Sequence, residues 1–163
     1  MAISVKKITL WRREIDDRPG SLAQVLSPVA DAGTSLRVVM GYRYPEPSGK
    51  AAVELAPVTG RKATAAAQAA GLSPASIGAL LVEGDDRPGL GRTLASALGE
   101  AGINLHFLMA LAGGRRYAAV FGFGSDADAD RAVPIIKKSA AAKAKAKPAR
   151  RTAAKKSRRS KRR

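Results

Sequence analysis

The sequence predicts an α+β protein made of two similar β-α-β-β-α units, followed by a basic C-terminal segment. Three observations support this prediction: an internal repeat, an alternation of strand-like and helix-like runs in each repeat, and a separation of charge between body and C-terminus. A long period seen twice favours a duplicated small domain over a solenoid, which needs more copies of a shorter unit.

The internal repeat consists of two blocks whose starts lie 69 residues apart. Block 16–36 aligns on block 85–105 without a gap, and 9 of the 21 positions are identical. Both blocks open with Asp-Asp-Arg-Pro-Gly, and both contain an Ala-Gly pair near their ends. We therefore expect a first unit over 1–74, a second unit over 75–138 and a disordered basic segment over 139–163.

Each block predicts a loop that leads from a strand into a helix. Short apolar-rich runs at 8–15 and 77–83 predict the strands. Pro19 and Pro88 then fall where a helix is expected to begin, because proline lacks an N–H that the first turn does not need. The glycine of each Ala-Gly pair suits a left-handed C-terminal cap. An interior proline, Pro28, is expected to kink or shorten the first helix.

The rest of each unit predicts two more strands and a second helix. Strands are predicted at 35–44, 51–56, 103–112 and 117–123, and helices at 61–70 and 126–133. Ser125 is the expected N-cap of the last helix, which Pro134 interrupts. No final strand is evident after residue 138, so each unit is one strand short of a ferredoxin-like β-α-β-β-α-β unit with helices on one face of an antiparallel sheet. The strand at 77–83 could close the first unit as well as open the second.

The net charge of +16 belongs mainly to the C-terminus. Residues 137–163 hold 14 of the 29 Lys and Arg residues and no acid, which leaves 15 basic and 13 acidic residues in 1–136. From Ser139 onward alanine, lysine and arginine dominate and no apolar residue other than Pro148 is larger than alanine, so we expect this segment to be disordered in isolation.

Clustered cations with alanine spacers resemble the tails of histone-like bacterial proteins and linker histones. Such tails bind phosphate backbones by counterion release, without reading bases. We therefore expect DNA or RNA contact from Lys143, Lys145, Lys147, Arg150, Arg151, Lys155, Lys156, Arg158, Arg159, Lys161, Arg162 and Arg163. The alternative is a solubilising appendage. Membrane binding is not expected, because no apolar residues accompany the charges.

Several classes of function are not favoured by the composition. The absence of cysteine excludes disulfides and thiolate catalysis, and a single histidine, His106, excludes a multi-histidine metal site. No apolar run reaches the ~18 residues needed to cross a bilayer, and the N-terminus lacks a signal-peptide layout. We expect a cytoplasmic protein, nucleoid-associated if its basic segment binds DNA.

No catalytic constellation is present, so we expect neither an enzyme nor a cofactor. His106 is expected to be packed or hydrogen-bonded, with a pH-sensing or ligand role as the alternative. Trp11, Tyr42 and Tyr44 are expected to pack rather than to stack bases. The acidic run that begins at Asp126 resembles the start of a calcium loop but lacks its glycine and later glutamate, so helix N-terminal acids are the better explanation.

In the second unit a strand precedes Asp-Arg-Pro-Gly-Leu at 86–90, and Ala-Gly-Ile-Asn at 101–104 precedes another strand. This order resembles the ACT domain family, whose members are small regulatory β-α-β-β-α-β modules that bind amino acids and usually pair side by side. The resemblance covers roughly 6–72 and 75–138, and it does not include the basic segment.

By this resemblance, a ligand would lie at the interface of paired domains, against the loop between the first strand and the first helix. The resemblance assigns ligand contact to Asp86, Arg87, Pro88, Gly89, Leu90 and, across the interface, Asn104, and in the first unit to Asp17, Arg18, Pro19, Gly20 and Ser35. Free N–H groups at a helix start favour a carboxylate, and an aspartate suits an amino group. Ser35 replaces the asparagine in the first unit, whose site could therefore be vestigial.

These observations favour a non-catalytic regulatory protein, expected to be a homodimer, that binds a small metabolite such as an amino acid and contacts nucleic acid through its basic segment. One alternative is a nucleic-acid-associated structural protein whose body serves only for oligomerisation. Another is a regulatory subunit that binds an enzyme. The Asp-Asp-Arg-Pro-Gly loops could also be turn and capping structures alone, with Asn104 at the start of a strand.

Overall fold

The computed structural model describes residues 3–46 and 49–142. In this part of the chain, four helices and eight strands form two four-stranded antiparallel sheets, which confirms the predicted α+β class. The elements are β1 Ser4–Ile8, β2 Trp11–Asp16, α1 Ser21–Asp31, β3 Val38–Arg43, β4 Lys50–Ala56, α2 Arg61–Ala69, β5 Ser73–Pro74, β6 Gly78–Asp85, α3 Leu90–Glu100, β7 Phe107–Gly113, β8 Arg116–Phe123 and α4 Asp126–Ala141.

The first sheet has the strand order β3-β4-β2-β5, and α1 and α2 cover one of its faces. Val25 and Val29 lie one turn apart on α1, and both are buried against Val53 and Leu55 of β4. Alternation along β4 places these two side chains on the helix-covered face, since successive strand residues point to opposite faces.

The second sheet has the strand order β1-β6-β8-β7, and α3 and α4 cover one of its faces. Leu90, Leu94 and Leu98 recur every fourth residue on α3, and all three are buried. They pack on Phe121 and Phe123 of β8, which alternate onto the same face of the sheet. This apolar face of α3 is therefore part of the core of the second half.

The N-terminal strand belongs to the second sheet. The prediction of one strand at 8–15 is wrong, because the chain bends at 9–10 and forms two strands. Strand β1 pairs with β6, from Ser4 opposite Glu83 to Ile8 opposite Ala79. The second unit has no predicted final strand after residue 138. Residues 4–8, which the repeat predicts to belong to the first unit, supply that strand.

A different short strand completes the first sheet. The prediction that 77–83 could also close the first unit is wrong, because within residues 3–46 and 49–142 the partners of β6 are β1 and β8, both in the second sheet. Strand β5 pairs with β2 instead, with Pro74 opposite Trp11 and Ser73 opposite Arg12. A proline is tolerated at such a position because an edge strand can leave one N–H site unused.

The last helix continues through its proline. The predicted end at 133 is wrong, since α4 runs to Ala141 with Pro134 inside it. Ala129, Ala132 and Ile136 of α4 are fully buried in the core of the second half, and this burial outweighs the lost hydrogen bond. The predicted N-cap is present, because Ser125 Oγ accepts a hydrogen bond of 3.1 Å from the Asp128 N–H. The cations from Lys143 onward lie outside the described residues.

The two sheets meet through the faces that the helices leave uncovered. Val38 and Met40 of β3 contribute to this third cluster from the first sheet, and Leu81 and Val120 contribute from the second. Leu10, in the bend between β1 and β2, is completely buried in the same cluster. The molecule therefore consists of four layers, with helices outside and the two sheets in the middle.

Deleting residues 1–8 is expected to weaken the second sheet selectively, because β6 becomes an edge strand and its core loses Ile3 and Val5. Native-state hydrogen exchange should show the β6 amides that face β1 exchanging at least about ten-fold faster, as expected for local opening. The β4 amides, which bond within the first sheet, serve as the internal control. Equal loss of protection in both strands, or none in β6, would contradict this role of β1.

Candidate functional site

The two Asp-Asp-Arg-Pro-Gly loops end in the same kind of turn. The N–H of Leu90 donates to the carbonyl of Arg87 at 3.1 Å, and Gly89 between them has φ 80°. The first loop matches, with Ser21 donating to Arg18 at 3.2 Å and Gly20 at φ 87°. Proline followed by a glycine at positive φ is typical of a type II turn.

These turns correct the predicted helix starts. The helices begin at Ser21 and Leu90, so Pro19 and Pro88 precede the N-cap glycine instead of occupying the first helical turn. The glycine is required because a residue with a Cβ is strained at this φ. The N–H groups of Ser21 and Leu90 close the turns, and no side chain among the described residues caps the remaining N–H groups of either first turn.

Each loop is fixed to the hairpin turn of its own half. The N–H of Asp17 donates to the carbonyl of Gly49 at 2.9 Å, and the N–H of Asp86 donates to the carbonyl of Arg115 at 2.8 Å. These equivalent bonds hold the two loops at corresponding positions beside their sheets. The repeat in the sequence is therefore also a repeat in local geometry.

The charges of the two loops differ. In the first loop, Lys50 forms an ion pair with Asp16 at 2.9 Å and its hydrogen bond lowers the pKa of that carboxyl, while Arg43 pairs with Asp17. In the second loop, Asp86 has no side-chain hydrogen bond or ion pair within the described part of the chain. Asp86 of the second loop is therefore available to a ligand, whereas the equivalent Asp17 of the first loop is already paired with Arg43.

A cavity lies against each loop. The first has a volume of about 240 Å³, and Asp17 and Arg18 are among its lining residues, together with Tyr42 of β3. The second, of about 460 Å³, is lined by Asp86, Arg87 and Leu90 and by the end of α4. Pro19, Gly20, Pro88 and Gly89 are exposed and shape the turns without lining either cavity.

Arg87 connects the second loop to the last turn of α4. Its Nη2 donates a hydrogen bond of 2.8 Å to the carbonyl of Ala140, one of the carbonyls that a helix end leaves unpaired. A cation at this end is also favoured by the helix dipole. The structure thus brings the second loop next to the point where the basic segment begins.

Asn104 does not lie near the second loop of the same chain. Strands β6 and β7 are both antiparallel to β8, so they run in the same direction. The loop follows the end of β6, whereas Asn104 precedes the start of β7, about 23 Å away for the seven residues of that strand at ~3.3 Å each. Ser35 has the corresponding position before β3, and both side chains are exposed.

Strand β7 is an exposed apolar edge, a feature that the sequence reasoning missed. Leu108 is 43% exposed, Met109 45% and Leu111 74%. β7 lies at one end of its sheet, so one side of its backbone has no neighbouring strand among the described residues. The sequence signal for this surface is the run Phe-Leu-Met-Ala-Leu-Ala, in which apolar residues do not alternate with polar ones.

The sequence also draws attention to Trp11, to His106 and to the acids at the start of α4. Trp11 is buried in the first core, as expected. The ring of His106 is exposed, with an edge contact to Phe107. Asp126 and Asp130 form ion pairs with Lys7 of β1 at 3.4 and 2.9 Å, so these acids join the last helix to the N-terminal strand.

Comparison with solved structures identifies proteins of similar architecture. One is a Bacteroides thetaiotaomicron protein, with 14% identity and a TM-score of 0.65 over 82% of this chain and 89% of the other. Another is the ligand-free regulatory subunit of aspartate kinase from Thermus thermophilus, with 16% identity and a TM-score of 0.58 over 85% of this chain and 97% of that subunit. The chain has the ACT-type ferredoxin-like fold.

A third similar structure is a putative C-terminal regulatory domain of aspartate kinase from Porphyromonas gingivalis, with 6% identity and a TM-score of 0.52 over 86% of this chain and 98% of that domain. No protein-family description and no curated protein matches the sequence. Among the described residues, no helix is both long and apolar enough to span a membrane.

Tyr42, which lines the first cavity, is expected to titrate unusually high. Burial and its hydrogen bond to Glu54 raise the pKa of Tyr42 to about 12. Because this value lies above the ~10 of an unfolded tyrosine, the resulting stabilisation is present below pH ~10 and is lost as pH rises through about 12.

Phenolate absorbance should therefore show a step near pH 12 that disappears in Tyr42→Phe and persists in Tyr44→Phe. Tyr42→Phe should also lower the free energy of unfolding at neutral pH by about 1–3 kcal/mol, because it removes the hydrogen bond to the buried Glu54 Oε1 and leaves only the Arg12 Nε at 3.5 Å beside that atom. A step that survives in Tyr42→Phe would show that another group is responsible.

Proposed function

We propose that this chain is a non-catalytic regulatory protein that binds an amino acid, or a similar small zwitterion, at the second loop. The observation that carries the proposal is the cavity beside Asp86 and Arg87, next to an uncapped helix start. A ligand carboxylate suits the first-turn N–H groups of α3 that follow Leu90, whose own N–H closes the turn. A ligand ammonium group suits Asp86, which has no side-chain partner among the described residues.

The second loop is the better candidate of the two. Arg43 already neutralises Asp17 in the first loop, and the first cavity has about half the volume of the second. Ser35 also stands where the second half has Asn104. These differences favour one working site per chain and a structural role for the first loop.

A second copy of the chain is needed to complete the site as the ACT resemblance describes it. Asn104 and the second loop lie at opposite ends of one sheet, so no single chain brings them together. Antiparallel pairing of β7 with β7 of a second copy would bring the start of one strand beside the end of the other. The exposed apolar residues of β7 and its unpaired edge support this mode of homodimer formation.

The structural neighbours favour a role in controlling an enzyme. Two of them are named as regulatory parts of aspartate kinase. We propose that metabolite binding stabilises one arrangement of the paired sheets, and that a partner enzyme recognises this arrangement.

A thermal-shift screen of the full chain against the twenty amino acids is expected to give a hit, because a ligand that binds only the folded state raises the melting temperature. Asp86→Asn is expected to weaken the binding of that amino acid at least ten-fold, since it removes the charge opposite the ligand ammonium. Leu111→Lys should yield a monomer by analytical ultracentrifugation and lose binding as well.

Leu22→Lys provides the control, because Leu22 is also an exposed leucine, 42% exposed against 74% for Leu111, and lies on α1 over the first sheet, whereas β7 belongs to the second. It should leave both dimer formation and binding intact. The proposal fails if no amino acid raises the melting temperature, or if the Leu111→Lys monomer binds as tightly as the original chain.

We further propose that the basic segment contacts nucleic acid. The support for this is compositional: residues 137–163 carry 14 of the 29 basic residues and no acid. Contacts of this kind attach a protein to phosphate backbones without selecting a sequence. The segment would then hold the metabolite-binding body on DNA or RNA.

Binding to a random-sequence DNA duplex, measured by fluorescence anisotropy, should fall roughly a thousand-fold or more between 50 and 200 mM salt if six or more phosphates are neutralised. A chain ending at residue 142, which keeps α4 and its contact with Arg87, should not bind the duplex. The shortened chain should still bind the amino acid. Salt-independent binding, or binding by the shortened chain, would contradict a role for the segment.

A further inference from the structure

A buried carboxylate lies in the middle of the first sheet, away from both loops. Glu54 is 1% exposed and lies on the face of β4 opposite the helices. Its Oε1 accepts a hydrogen bond of 2.9 Å from the Tyr42 hydroxyl, and the Arg12 Nε lies 3.5 Å away. Its Oε2 is buried and has no hydrogen-bond partner among the described residues.

An unpaired buried carboxylate oxygen is unfavourable, because folding removes the water that would otherwise bind it. The two protein donors near Glu54 are both directed to Oε1. Since its pKa is raised to about 12, the Tyr42 hydroxyl keeps its proton and remains a donor to Oε1. Oε2 is therefore the acceptor atom of Glu54 that the described residues leave without a donor.

A cavity of about 350 Å³ has Glu54 in its wall. Arg12 and Glu14 line it from β2, Tyr44 lines it from the residue after β3, and His106 lines it from the second half. The segment 73–77, which joins the two halves, forms a further wall. The cavity thus lies between the halves and is separate from the two loop cavities.

The charges around this cavity favour a cationic occupant. Its lining contains two carboxylates, Glu14 and Glu54, and one guanidinium, that of Arg12. The guanidinium is already engaged, because it donates to the Tyr44 hydroxyl and lies over the Tyr44 ring, 5.8 Å from the ring centroid. The side chains that line the cavity therefore carry one more negative than positive charge.

We propose that this cavity is a binding site for a small alkylammonium compound, whose ammonium group donates a hydrogen bond to Glu54 Oε2. An ammonium group has three donors and no acceptor, which matches a wall with one free carboxylate oxygen. A short alkyl chain would lie against Pro74, Ala75 and Ile77, the apolar part of the lining. A compound bound here would contact both halves and the segment between them.

The test is an amide chemical-shift titration of the ¹⁵N-labelled full chain with n-butylammonium chloride, with n-butanol at matched ionic strength as the uncharged analogue. The ammonium salt should produce saturable shifts at Glu54 and in residues 73–77 that contain N–H groups. The alcohol, which has the same chain without the charge, should bind at least ten-fold more weakly. Absence of saturable shifts, or equal binding of both compounds, overturns the proposal and leaves a water molecule as the partner of Oε2.

Glu54→Gln tests the carboxylate directly and should raise the dissociation constant for n-butylammonium at least ten-fold. Glu100→Gln is the matched control, because Glu100 is an exposed carboxylate at the end of α3, and its dissociation constant should stay within two-fold. Unchanged binding by a folded Glu54→Gln chain overturns the proposal. If that variant does not fold, Glu14→Gln and the comparison with n-butanol decide the matter, since both report on charge at the cavity.

Discussion

The pairing of β1 with β6 is the interaction on which the rest of the architecture depends. It closes the second sheet with a strand from the opposite end of the described chain. The chain then turns through the buried Leu10 and enters the first sheet as β2. Because these strands are joined by only two residues, the two sheets are held close together, and their uncovered faces bury one another.

This arrangement determines which surfaces remain available. The central strands are covered on both faces, and the Asp-Asp-Arg-Pro-Gly loops project from the ends of β2 and β6. Strand β7 is left as an apolar edge. The same packing of sheet against sheet removes Glu54 from water and creates the cavity beside it. The exposed edge of β7, the positions of the two Asp-Asp-Arg-Pro-Gly loops and the burial of Glu54 therefore all follow from the same topology.

The candidate site was only partly predictable from the sequence. The loops were identified because a repeated Arg-Pro-Gly can be recognised locally, although the helices start after the glycine and not at Pro88. The position of Asn104 was not predictable, because its distance from the loop depends on the strand order of the sheet. Glu54 was missed altogether, since a single glutamate among alternating apolar residues gives no sign that both sheets will cover it.

What the sequence by itself determined is what local chemistry controls: the two-fold repeat, the α+β class, the amphipathic helices, the glycine-dependent turns and the division of charge. Only the tertiary structure decided that residues 4–8 join the second sheet, that Ser73 and Pro74 close the first, and that α4 continues past Pro134. The physical reason is that strand pairing and burial are long-range interactions. Their free energy depends on which distant segments meet, and that information is absent from any local window of residues.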